Sequence, residues 1–80
     1  MQQNEAIQLI GDAIEKVIQK RVEITVATDL VGDKILDSLD GMVFAMELEI
    51  LSGRKFPEEI DLVEQGYFKI AKLVEFLSAP

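Results

Sequence analysis

The chain contains no cysteine and no histidine among its 80 residues. Without Cys there is no disulfide, no thiolate metal site and no thiol nucleophile. Without His the commonest neutral-pH general base and the commonest metal ligand are both missing. The Gly-x-Ser-x-Gly turn of serine hydrolases is also absent. No apolar run is long enough to span a bilayer, and the opening Met1-Gln2-Gln3-Asn4-Glu5 lacks the basic start of a signal peptide. These absences argue against catalysis by the chain itself and lead to the expectation of a soluble, cytoplasmic protein.

Positive charge is scarce, and the imbalance is uneven. Net charge is −7, of which residues 37–80 carry nine acids against four bases. Asp37, Asp40, Glu47 and Glu49 fall in one stretch with no base between them. Such a surface repels nucleic acid and attracts basic patches on other proteins. An acidic, solvated face also serves solubility alone. Apolar residues make up 49% of the chain, enough for a core in a single small domain over residues 1–80.

Ile7, Ile10, Ile14, Val17 and Ile18, with Ala13 beside them, recur at the spacing of an amphipathic helix, predicted from about Asn4 to Gln19 with Asn4 as its N-cap. Residues 22–37 break that pattern. Glu23-Ile24-Thr25-Val26 alternates like a strand but has no second strand to pair with. The stretch therefore reads as a long loop pinned by Ile24, Val26, Leu30, Ile35 and Leu36.

A second helix is predicted from about Ser38 to Leu51, capped by Asp37 and ended by Gly53. Phe44, Leu48 and Leu51 form its expected buried face. Leu39, Met42, Val43 and Met46 leave an unusual apolar surface elsewhere on it, and Gly41 is a poor helix former in the first turn. After the connector Arg54-Lys55-Phe56-Pro57, a short helix or irregular segment covers about Asp61 to Gln65 and stops at Gly66. A last helix spans about Phe68 to Leu77, with Ile70, Leu73, Val74 and Leu77 as its stripe. The expected fold is all-α, a small bundle of three to four helices with a long first loop.

Ser38, beside Asp37 at the start of the second helix, has three readings. It is part of a helix cap. It is a nucleophile, which would need an adjacent base that a chain without His supplies poorly. Or it is a passive hydroxyl that another enzyme modifies, where an attached phosphodiester would meet free N–H groups and the positive end of the helix dipole.

The segment Asp29-Leu30-Val31-Gly32-Asp33-Lys34-Ile35-Leu36-Asp37-Ser38-Leu39-Asp40 resembles the region around the attachment serine of acyl carrier proteins. Ile35-Leu36-Asp37-Ser38 is similar to the Gly-Leu-Leu-Asp-Ser form of stand-alone carriers, including D-alanine carriers. Ala45-Met46-Glu47-Leu48-Glu49 resembles the acidic stretch of the family's second helix. Ser52-Gly53-Arg54-Lys55-Phe56 with Ile60-Asp61-Leu62 looks like a family connector, and Ile70-Ala71-Lys72-Leu73-Val74 like the fourth helix.

The resemblance implies an acyl-carrier-like fold and a 4′-phosphopantetheine arm attached to Ser38 by a phosphopantetheinyl transferase using coenzyme A. Acyl or aminoacyl groups would ride on the arm as thioesters. Asp37, Leu39, Asp40, Met42, Met46, Glu47 and Glu49 would then meet partner enzymes that load and transfer the cargo through basic docking patches, and the carrier would be a monomer. Apolar side chains such as Ile14, Phe44, Leu48 and Ile70 would offer an interior in which an acyl chain could shelter. The chain departs from the family pattern at Gly32, Lys34, Gly41, Val43, Ile50 and Leu51. The second helix is greasier for it, which points to a specialised carrier with its own partners. Outside the family, the same features describe an unmodified acidic helical interaction module.

Overall fold

The computed structural model describes residues 1–79. Three helices follow one another: α1 (Gln3–Ile18), α2 (Ser38–Ser52) and α3 (Ile70–Ser78). No strand forms among the described residues, only an isolated antiparallel bridge between Asp29 and Lys69. Helix α1 is the central member and packs against both α2 and α3. Its apolar stripe makes this possible: Ala6, Ile10, Ala13 and Ile14 are fully buried. They meet Phe44 and Leu48 from α2, Ile70, Leu73 and Leu77 from α3, and Leu30 and Leu36 from the first loop in one core.

Helix α1 begins earlier than its sequence suggests. Gln2, not Asn4, holds the N-cap position and makes no side-chain cap bond. Its carbonyl instead accepts the Ala6 N–H at 2.9 Å. At the other end Gln19 turns left-handed at φ 57°, with its N–H on the Glu15 carbonyl at 2.8 Å. Arg21 then folds back to pair with Asp12 and Glu15 at 2.7 and 3.3 Å.

The stretch from 22 to 37 is irregular, as expected, and two of its leucines hold it down. Leu30 is completely buried, and its carbonyl accepts the N–H groups of both Ile35 and Leu36 at 3.0 and 2.9 Å. Leu36 is buried beside it; Ile24 and Ile35 are half-buried. Val26 is not an anchor but lies 44% exposed. It sits at the tip of a turn in which Thr28 donates its N–H to the Thr25 carbonyl and accepts the Thr25 N–H on Oγ1, both at 3.0 Å. That turn satisfies the local backbone and leaves the valine outside.

The segment between α2 and α3 is a series of turns. Asp61 Oδ1 accepts the N–H groups of Val63 and Glu64 at 2.9 and 3.0 Å, and Gln65 N–H reaches the Asp61 carbonyl at 3.0 Å. One turn forms, and Gly66 ends it at φ 76°. A single turn fixes too many dihedrals for too few hydrogen bonds to grow into a helix without packing support. Helix α3 starts at Ile70 rather than Phe68 because residues 68–70 run alongside the first loop. Phe68 carbonyl accepts Leu30 N–H at 2.8 Å and Ile70 N–H donates to Thr28 carbonyl at 2.9 Å. A stacked Phe56–Phe76 pair with ring centres 4.3 Å apart, edged by Tyr67, fastens the connector to α3.

Candidate functional site

Ser38 is the first residue of α2, and its position is set from below. Leu36, two residues earlier, is locked into the core, while Asp37, Ser38 and Leu39 emerge into solvent. Asp37 caps the helix with extended backbone at φ −83°, its Oδ1 accepting the Asp40 N–H at 2.7 Å. The Asp37 carbonyl accepts the Gly41 N–H at 2.8 Å. A helix start leaves four N–H groups without intrahelical acceptors. Here the Asp37 carboxylate satisfies one of them, the Asp40 N–H, and among the described residues the Ser38 and Leu39 amides have no partner. The Ser38 hydroxyl is exposed and likewise makes no hydrogen bond there. A nucleophile held by a base is therefore not what this geometry shows. It shows an accessible acceptor hydroxyl with two amides and a helix dipole suited to an anion.

Behind Ser38 lies an open groove of about 930 Å³ between α2 and the turns after Phe56. Ser38, Met42, Ala45, Met46 and Glu49 form its α2 wall; Phe56, Ile60, Leu62, Val63 and Phe68 contribute its other apolar surface. Its acids are Glu49, Glu58, Glu59 and Asp61, and no Lys or Arg lines it. An apolar floor with an acidic border suits an apolar chain and disfavours a carboxylate.

At 3.6 residues per turn, α2 divides into three faces. Gly41, Phe44 and Leu48 point into the core. The groove side comes next. The third face is an apolar stripe: Leu39 (73% exposed), Met46 (62%) and Ile50 (72%), with Val43 beside it. Met42 and Met46 belong to both outer faces and form the lip between them. Leu51, expected in the core, is half-buried.

Of the acidic residues singled out from the sequence, Asp40 and Glu47 are half-buried on the side of α2 next to the stripe. Glu49 has a different occupation. Its Oε2 accepts the Phe56 N–H at 2.8 Å, tying the connector to α2 across the far part of the groove. Sequence reasoning did not pick out Phe56, Ile60, Leu62, Val63 or Phe68 as groove residues. The available signal was an apolar alternation, Ile60 and Leu62, inside an otherwise acidic segment.

Compared with protein-family models, curated proteins and solved structures, the chain matches none. No helix among the described residues is long and apolar enough to cross a membrane.

Proposed function

We propose that this chain is a carrier protein with 4′-phosphopantetheine attached at Ser38. The observation that carries the reading is the exposed Ser38 hydroxyl at the first position of α2, beside two unpartnered amides and an open groove. The Ser38 oxygen attacks the phosphorus of coenzyme A that bears the pantetheine, the pyrophosphate bond breaks with adenosine 3′,5′-bisphosphate leaving, and the Ser38 proton goes to a base on the transferase, since this chain has no His. The Ser38 and Leu39 amides then face the phosphodiester. The arm, when attached, supplies the thiol that a chain without Cys lacks, and with it a thioester to acyl or aminoacyl cargo. Leu39, Met42, Met46 and the acids Asp37, Asp40 and Glu47 meet the transferase and the loading enzymes.

Two further features favour this reading. Lys34 stands where many carriers have Gly, and its φ is 61°, the left-handed region that glycine adopts without strain. Lys34 thus holds the backbone form that a glycine there would take. At Gly32, where an acid is common in the family, an added Cβ would lie 2.7 Å from the Asp29 carboxylate, whose Oδ1 accepts the Gly32 N–H at 2.8 Å. This local turn explains the departure. In an acyl-carrier-like fold the turns from Asp61 to Gly66 take the place of a third, short helix. The reading is of a monomeric, cytoplasmic carrier that sits in the groove's favour toward apolar cargo. An aminoacyl or D-alanine cargo is the alternative within the family, and the acidic border is compatible with an ammonium.

The apolar stripe of α2 supports a second reading, an interaction module that is never modified. Intact mass separates the two. Incubation with coenzyme A and a broad-specificity phosphopantetheinyl transferase should add one phosphopantetheine to the wild type and none to Ser38→Ala, with Ser52 and Ser78 as internal controls. No gain on a folded, unmodified wild type would refute the carrier and leave the module.

A further inference from the structure

Phe68 stands between two cavities. It lines the groove beside Ser38, and it lines a second pocket of about 140 Å³ on the other side, shared with Asp29, Gly32 and Lys69. Among the described residues, Val63 is the only other one that borders both. The Phe68 ring is 4% exposed and lies against the backbone of α2 at Gly41, one turn beyond Ser38. A Cβ built on Gly41 would come within 3.0 Å of the ring Cζ, so only glycine lets the ring sit there undisturbed. Phe44 supports it from the core, with ring centres 6.3 Å apart. The backbone is held as well: the Phe68 carbonyl accepts Leu30 N–H, and the flanking residue Lys69 bridges to Asp29. A buried ring fixed on three sides is a wall and not a flap.

We propose that Phe68 is the end wall of the groove and sets the length of cargo on Ser38 that the groove takes in. Gly41 is the positioning residue that lets the ring occupy this place. The inference rests on the carrier reading and adds a specificity determinant to it. Removing ring volume would connect the groove to the pocket behind. That pocket has room for about five water-sized groups, taking ~30 Å³ for each, and so for a few more carbons of chain. Filling Gly41 would push the ring off its seat against α2, and into the groove where Phe44 holds the core side against it.

The test uses the full chain, loaded at Ser38 by the transferase from a series of straight-chain acyl-coenzyme A thioesters of increasing length. Intact mass confirms each load, and the melting temperature is compared with that of the phosphopantetheine form without cargo. In the wild type the gain in melting temperature should grow with length and then stop. Phe68→Leu and Phe68→Met should move that stop to chains longer by two or more carbons, and Gly41→Ala should move it to shorter ones. The two Phe68 variants keep apolar volume in the core, so a folding failure in Gly41→Ala leaves the test intact. A stop at the same length in wild type and both Phe68 variants overturns the inference, as does a wild type whose melting temperature ignores cargo length; the carrier reading survives either result. Absence of any load on Ser38 overturns both.

Discussion

Asp37 touches both stability and modification, and the two roles separate by substitution. Its Oδ1 holds the Asp40 N–H at 2.7 Å, so Asp37→Ala uncaps α2. Losing such a cap costs about 1 kcal/mol. Removing a carboxylate from the positive end of the helix adds roughly 0.3–1 kcal/mol at low salt. For a domain of this size each kcal/mol corresponds to about 4–8 °C in melting temperature. Asp37→Ala should therefore melt roughly 5–15 °C below wild type at low salt. Asp37→Asn keeps an acceptor oxygen and loses only the charge, so its melting temperature should fall by about half as much or less, and salt should narrow the difference. Thermal unfolding followed by circular dichroism at low and high salt reads all of this. Loading of Ser38, followed by mass against time, reads the other role. If the Asp37 charge guides the transferase, Asp37→Asn should load slowly while remaining folded. An Asp37→Ala protein that melts within about 2 °C of wild type would refute the capping argument. An Asp37→Asn protein loaded at the wild-type rate would refute the docking role.

Gly11 lies buried within α1, and the nearest atom to an added Cβ is the Arg21 guanidinium at 2.9 Å, the movable end of a flexible side chain. Gly11→Ala should therefore raise stability by about 0.5–1 kcal/mol in chemical denaturation, since glycine inside a helix is unfavourable by that amount; a lower midpoint would show that Arg21 cannot move aside. Leu39→Ser and Ile50→Ser remove side chains that are more than two-thirds exposed, so stability should stay within about 0.5 kcal/mol of wild type. If the α2 stripe is a docking surface, the same variants should slow loading by the transferase or weaken binding to a cognate enzyme several-fold, with little salt dependence. Unchanged rates and affinities would mean that the stripe meets no partner.

Much of the architecture was legible in the sequence because it follows from local chemistry. The period of Ile10 and Ile14 marks a helix with one buried face. Asp37 and Gly53 mark where α2 starts and stops, and the structure places the cap bond and the left-handed residue there. Even the doubly apolar character of α2 was visible, since Phe44 and Leu48 use one face and Leu39, Met42 and Met46 must lie elsewhere. The start of α3 was less legible. Phe68 continues the apolar pattern, yet its backbone and that of Ile70 are drawn to the first loop by hydrogen bonds to residues some forty positions away.

Sequence alone thus determined which segments coil, where Ser38 stands on its helix and that the chain brings no imidazole or thiol of its own. Those properties depend on residue identity and short-range spacing. Tertiary structure alone decided that Glu49 ties down Phe56, that a groove opens beside Ser38, and that Phe68 reaches Gly41 to close its end. These contacts join segments far apart in the chain, and no local pattern of residues encodes the space left between them.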